Sequence, residues 1–122
     1  MTTSTAAADS IFIIDDAPKV SALIARTLSD LPYRVLTADS VRSAKEVVMH
    51  QIDRIRVVVV DFGLPDGNGL EIIEEVRRLR PDVPILLMSG YAVGGEVDVD
   101  FILKPFDPED LHGRVEAMAG AR

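Results

Sequence analysis

The chain has 122 residues, 48% of them apolar, no cysteine, and a net charge of −7. That length suits one compact domain with a real core, and the missing cysteines exclude a disulfide framework and a thiolate metal site. The negative charge disfavours a nucleic-acid partner, which needs clustered Lys and Arg, and no apolar run approaches the roughly 20 residues that span a membrane.

Residues 1–10, MTTSTAAADS, have neither the basic region nor the apolar core of a signal peptide. They read as a disordered lead-in to a cytoplasmic protein. The run IFII (11–14) then ends on two adjacent carboxylates, Asp15 and Asp16. Val20, Leu23, Ile24, Thr27, Leu28 and Leu31 repeat at helical spacing. YRVLT (33–37) is a second β-type run, and Ser40 is an N-cap for a helix over about 41–50. RVVVVD (56–61) ends on Asp61. LPDGNG (64–69) reads as a tight turn whose glycines tolerate positive φ. It leads into a helix carrying Leu70, Ile73, Val76 and Leu79, closed by Pro81. Arg77, Arg78 and Arg80 lie among Glu71, Glu74 and Glu75, which reads as a solvated helix face. PILLM (84–88) is followed by Ser89, and DFILK (100–104) ends on Lys104. Asp107 and Pro108 open a last helix with Leu111, Val115 and Met118. His50 and His112 fall on helices and receive no role.

Three of the β-type runs are almost continuously apolar, as strands covered on both faces are. Strands alternating with helices imply right-handed crossovers and an α/β fold. The expected architecture is a three-layer α/β/α sandwich, flavodoxin-like, with a five-stranded parallel sheet in the order 2-1-3-4-5. The expected domain spans residues 11–119. In such a sheet the ligand site lies beyond the carboxyl ends of the strands, where the order reverses. Asp15, Asp16, Asp61, Ser89 and Lys104 all fall at that edge. Three converging carboxylates repel one another, and a cation resolves the conflict. Hard oxygen donors without His or Cys favour Mg²⁺. Taken singly, Asp15 and Asp16 also fit a solvated turn that caps the first helix, and Ser89 fits an ordinary loop hydroxyl.

The segments IIDDAP, VVVDFGLPDGNGLE, PILLMSGY and FILKPF, in this order, resemble the receiver domain of two-component response regulators from Ile11 to Met118. The resemblance implies that Asp61 takes a phosphoryl group from a phosphohistidine on a sensor histidine kinase or phosphotransfer protein. It implies that Asp16, Asp61 and the backbone carbonyl of Gly63 ligate Mg²⁺, with Asp15 acting through a coordinated water. Ser89 and Lys104 would each meet a phosphoryl oxygen, with a cis bond between Lys104 and Pro105. Phe101 would be the aromatic that reports phosphorylation, and Gly63 and Tyr91 would tune the phosphoryl lifetime. The chemistry is consistent: a carboxylate nucleophile has no proton to lose and needs no general base. In-line phosphoryl transfer asks mainly for positioning and charge neutralisation.

The interval GYAVGGEVDVDFIL between Ser89 and Lys104 is shorter than in most receivers and rich in glycine and valine. It resembles a subgroup in which the fourth helix is reduced or missing. The expectation is a mobile loop or single turn at 90–99 that orders on phosphorylation, with no standard dimer.

The function expected is a phosphoacceptor switch rather than an enzyme, with self-catalysed phosphotransfer and dephosphorylation. The chain reads as a stand-alone response regulator with an unknown downstream protein partner. The alternatives are a receiver from a hybrid histidine kinase or larger regulator, a pseudo-receiver binding module, and a small Mg²⁺-dependent phosphohydrolase with Asp66 as its remote second acid.

Overall fold

Strand β1 (Ser10–Ile14) is buried throughout and apolar from Ile11 to Ile14 because both of its faces are covered. The computed structural model describes residues 9–90 and 98–120. In chain order β1 is followed by α1 (Pro18–Thr27), β2 (Arg34–Ala38), α2 (Val41–Gln51), a 3₁₀ turn (Ile52–Arg54) and β3 (Ile55–Asp61). A two-residue hairpin, β4 (Gly63–Leu64) and β5 (Gly67–Asn68), precedes α3 (Gly69–Leu79), β6 (Ile85–Ser89), β7 (Asp100–Leu103) and α4 (Pro108–Gly120).

The main sheet is five-stranded and parallel, in the order β2-β1-β3-β6-β7. This is the expected 2-1-3-4-5 order, with β6 and β7 as its fourth and fifth strands. Among the described residues no helix lies between β6 and β7. The expected loop at 90–99, Tyr91 included, falls largely outside the described residues.

Side-chain alternation sorts the strands into two cores. Phe12, Ile14, Val58, Val60 and Leu87 face α2 and α3. Ile11, Ile13, Val57, Val59, Leu86, Met88 and Ile102 face α1 and α4. Full burial of each such side chain stabilises the fold by about 1.5–3 kcal/mol before entropy is counted.

Two boundaries differ from the sequence reading. The expectation of disorder through residue 10 fails at its last two residues, and residues 1–8 lie outside the described residues. Ser10 is buried in β1, and Asp9 Oδ2 accepts a hydrogen bond from Arg56 Nη1 at 2.8 Å. Arg56 also donates through Nε to the Ala119 carbonyl at 2.8 Å, so one guanidinium holds both ends of the domain at the pole opposite the site. Helix α1 stops at Thr27 although its apolar spacing continues, and Leu28 and Leu31 are buried in the turn that follows.

The glycines of the hairpin also differ from expectation. Among the described residues no glycine has a positive φ. What requires glycine at 69 is close approach: a Cβ there would lie 2.5 Å from the Asp61 carbonyl oxygen.

Candidate functional site

The carboxyl ends of β1, β3, β6 and β7 bring Asp15, Asp16, Asp61, Ser89 and Lys104 to one edge of the sheet, beside the switch point between β1 and β3. Asp15, Asp16 and Asp61 each offer a carboxylate oxygen within 4.8 Å of the others. Asp15 is buried, Asp61 half-buried and Asp16 exposed.

Asp15 is held from both sides. Its Oδ1 accepts from the Ala17 amide at 2.8 Å, at the start of α1. Its Oδ2 accepts from Lys104 Nζ at 2.9 Å, and its own amide donates to the Ala38 carbonyl at 3.1 Å. Lys104 lies between two strands' carboxylates, with Nζ 3.3 Å from Asp61 Oδ1. The Lys104 amide donates to the Ser89 carbonyl at 2.7 Å, and the Lys104–Pro105 bond is cis. Ser89 is buried at the end of β6. Gly63 follows Asp61 by two residues and is exposed, and a Cβ there would meet nothing within 4 Å. Phe101 is 36% exposed on β7, and its carbonyl accepts from Arg114 Nη1 at 3.2 Å.

The donors of this cleft are hard carboxylate oxygens without a nitrogen or sulfur ligand among them, which is a set that fits Mg²⁺. Electrostatics points the same way. Burial pushes the Asp61 carboxyl above its usual range and the Asp15 charge adds to this, outweighing the ammonium of Lys104. Burial alone would lower the Lys104 pKa, but its hydrogen bond to Asp15 and the charges of Asp15 and Asp61 raise it overall. The cleft without metal thus carries more negative charge than it can neutralise.

A pH dependence follows from the raised Asp61 value. Its cost to the metal-free fold is absent below the ordinary carboxylate pKa and grows as pH rises through the higher folded value. Asp61→Asn removes that cost. The variant is expected to melt above wild type at pH 7. The gap should close below pH 4. Paired thermal melts across that range check it, and a gap that is constant or absent would contradict it.

Asp66 is not part of this cleft. Its Oδ1 accepts from the Val41 amide at 2.7 Å and its Oδ2 from the Arg42 amide at 3.0 Å, at the start of α2. Those bonds lower its pKa, and they occupy both oxygens that a phosphohydrolase acid would need. Nothing local in LPDGNG announces this role, because the partners lie 25 and 24 residues upstream.

Beside the cleft, Val20 and Leu23 of α1 face Pro105 and Phe106 across an apolar groove that ends at Lys104. The basic cluster divides. Arg78 pairs with Glu75 at 2.7 Å as a helix-face pair, while Arg77 donates to the Asp98 carbonyl and Arg80 to the Ile52 carbonyl. His112 Nε2 contacts Asp30 Oδ1 at 2.8 Å, joining α4 to the turn that follows α1. No helix among the described residues is long and apolar enough to cross a membrane.

Residues 11–116 match the family model for the response regulator receiver domain. The photosynthetic apparatus regulatory protein RegA of Rhodobacter capsulatus is 29% identical over 119 residues, covering 92% of this chain and 64% of that protein. The chemotaxis protein CheY homolog of Campylobacter jejuni subsp. jejuni serotype O:23/36 (strain 81-176) is 28% identical over 122 residues, covering 90% of this chain and 92% of that one. The crystal structure of a response regulator receiver protein from Sinorhizobium medicae WSM419 aligns with a TM-score of 0.82 at 26% identity, over 93% of this chain and 96% of that one. The chain spans between 48% and 64% of the length of the first curated relatives it matches.

Proposed function

The chain belongs to the response regulator receiver domain family, and from that premise and the cleft we propose that Asp61 is the phosphoacceptor of a two-component phosphorelay. The observation that carries the reading is the position of Lys104. Its ammonium bridges Asp15 and Asp61 at the end of a neighbouring strand, 2.9 and 3.3 Å away, where it can follow charge onto a phosphoryl oxygen.

In this reading an Asp61 oxygen attacks phosphorus as the phosphorus–nitrogen bond of a phosphohistidine breaks. The imidazole leaves with the bonding pair and takes up a proton. Asp15, Asp16, Asp61 and the Gly63 carbonyl would hold Mg²⁺, which when bound offsets charge on the phosphoryl oxygens. Lys104 moves from the carboxylate pair to one equatorial oxygen, and the Ser89 hydroxyl donates to another. Gly63 carries no side chain to obstruct the water that later hydrolyses the acyl phosphate. Phe101, half out of the sheet, passes the change to the surface of β7.

The groove between Val20, Leu23, Pro105 and Phe106 would seat the apolar face of the donor helix of a sensor histidine kinase or phosphotransfer protein. We place the protein in the cytoplasm, with its signal passed to a separate downstream protein. A receiver within a hybrid kinase or larger regulator is the alternative.

The test is intact-protein mass after incubation with acetyl phosphate. The expected result is one phosphoryl addition that requires Mg²⁺ and is lost in Asp61→Asn. Addition that persists in Asp61→Asn, or multiple turnover of acetyl phosphate without a protein adduct, would overturn the assignment.

A further inference from the structure

A helix leaves its first four amides without intrahelical partners. In α2 all four are satisfied, but by two different devices. Ser40 and Ser43 serve each other: the Ser43 amide donates to Ser40 Oγ at 3.0 Å and the Ser40 amide to Ser43 Oγ at 3.2 Å. The remaining two, Val41 and Arg42, donate to the two oxygens of Asp66 at 2.7 and 3.0 Å. An exposed carboxylate from another loop thus meets both the free amides and the positive end of the helix dipole.

Asp66 sits at the tip of the β4–β5 hairpin, where Gly63 pairs with Asn68 and Leu64 with Gly67. The hairpin root is fixed on the opposite side. The Gly69 amide donates to the Phe62 carbonyl at 2.7 Å, and the Phe62 amide to the Met88 carbonyl at 2.8 Å. Asn68 caps α3 by accepting from the Leu70 amide at 2.9 Å, and its own amide donates to Glu71 Oε2 at 3.1 Å. Two paired residues on each side are too few to hold a hairpin in place by themselves. Gly63, which the proposed function makes a metal ligand through its backbone, lies between the anchored root and the anchored tip.

We propose that Asp66 is a positioning residue for the phosphoacceptor centre, tying the hairpin tip to the start of α2 and so fixing the Gly63 carbonyl for Mg²⁺. This rests on the receiver reading. It makes a link with a definite sign: the N-terminus of α2 and the metal site share one favourable free energy of coupling. By reciprocity, Mg²⁺ strengthens the bonds of Asp66 to Val41 and Arg42 as much as those bonds strengthen Mg²⁺ binding.

The experiment is a Mg²⁺ titration of the metal-free protein followed by amide NMR, without any phosphodonor. Wild type is compared with Asp66→Ala, Asp66→Asn and Ser40→Ala, with circular dichroism melts to show that each is folded. Asp66→Ala should weaken Mg²⁺ binding by about tenfold, the scale on which partners behind a metal ligand act. Asp66→Asn, which keeps one acceptor oxygen, should fall between. Ser40→Ala removes the helix's own cap yet leaves the hairpin anchored, and should keep the wild-type affinity within about twofold. In wild type, hydrogen exchange at the Val41 and Arg42 amides should slow when Mg²⁺ is added. Wild-type affinity in Asp66→Ala, an equal loss in Ser40→Ala, or exchange at these amides that ignores Mg²⁺ would each overturn the assignment and leave Asp66 a helix cap. Absence of Mg²⁺ binding by wild type would instead overturn the receiver reading on which it rests.

Discussion

Lys104→Met is expected to destabilise the metal-free protein by about 2–3 kcal/mol and to slow phosphorylation by about 10²–10³-fold. The side chain of Asp15 is fully buried, and without Lys104 its remaining side-chain partner among the described bonds is the Ala17 amide. Breaking a buried pair by removing one member leaves an uncompensated charge, which costs about 3–5 kcal/mol in a dry interior. Lys104 keeps 26% of its side chain exposed, so water reaches the cleft and the loss falls to or below the lower end of that range, about 2–3 kcal/mol. Methionine retains the apolar stem and isolates the charge. The same variant should gain more stability from Mg²⁺ than wild type does, because a second cation then replaces the missing ammonium at Asp15 and Asp61. Urea unfolding with and without Mg²⁺ measures both effects. If Mg²⁺ stabilised the two proteins equally, Lys104 would not be the internal counter-ion of the cleft.

The positions of these five residues were legible in the sequence because parallel topology is a strong constraint. IFII and RVVVVD are apolar on both faces, which leaves them a place in the centre of a doubly covered sheet, and their last polar residues must then share an edge. Ser40 was legible as a cap because its hydrogen-bond partner lies three residues away. What the sequence did not disclose depends on partners distant along the chain. Asp9 joins the fold through Arg56, 47 residues on, and so appeared to belong to the lead-in. Asp66 was weighed as an acid because its two amide partners on α2 are set by tertiary packing. Leu28 and Leu31 continued a helical period beyond the helix, because burial in the following turn selects the same side chains. Arg77 is exposed, as its place in a solvated row implies, but it also reaches the backbone at Asp98, 21 residues on.

LPDGNG is the expected tight turn into α3, but the positive φ expected of its glycines is absent for a different reason. A glycine-rich turn suggests left-handed backbone, whereas the constraint at Gly69 is the contact distance set by the packing of α3 on β3. This gives Gly69→Ala its force. Gly69 is the first residue of α3 and is buried against the end of β3. An added Cβ would lie 2.5 Å from the Asp61 carbonyl oxygen, 3.1 Å from Val60 Cγ2 and 3.3 Å from the Asp61 carbonyl carbon. Two of these atoms are backbone and cannot rotate away. On propensity alone alanine would favour a helix by about 0.5–1 kcal/mol over glycine. The overlap reverses the sign: overpacking of this kind typically costs about 1–3 kcal/mol, and more where backbone must shift. The expected net loss is about 2–3 kcal/mol, a fall in melting temperature of roughly 10 °C. Gly63→Ala is the matched control. Nothing lies within 4 Å of its added Cβ, and its stability should stay within about 0.5 kcal/mol of wild type. The overlap falls on the carbonyl of the proposed nucleophile itself, so the folded fraction of Gly69→Ala should also bind Mg²⁺ more weakly. Urea titrations give the stabilities, and amide-NMR Mg²⁺ titrations at a temperature where both variants are folded give the affinities. Wild-type stability in Gly69→Ala would mean that α3 can slide away from β3, and the geometry of the cleft would then not depend on this glycine. A large loss of stability with unchanged Mg²⁺ affinity would show that α3 yields while the end of β3 stays in place. Loss of both would mean that the packing of α3 on β3 sets the position of Asp61.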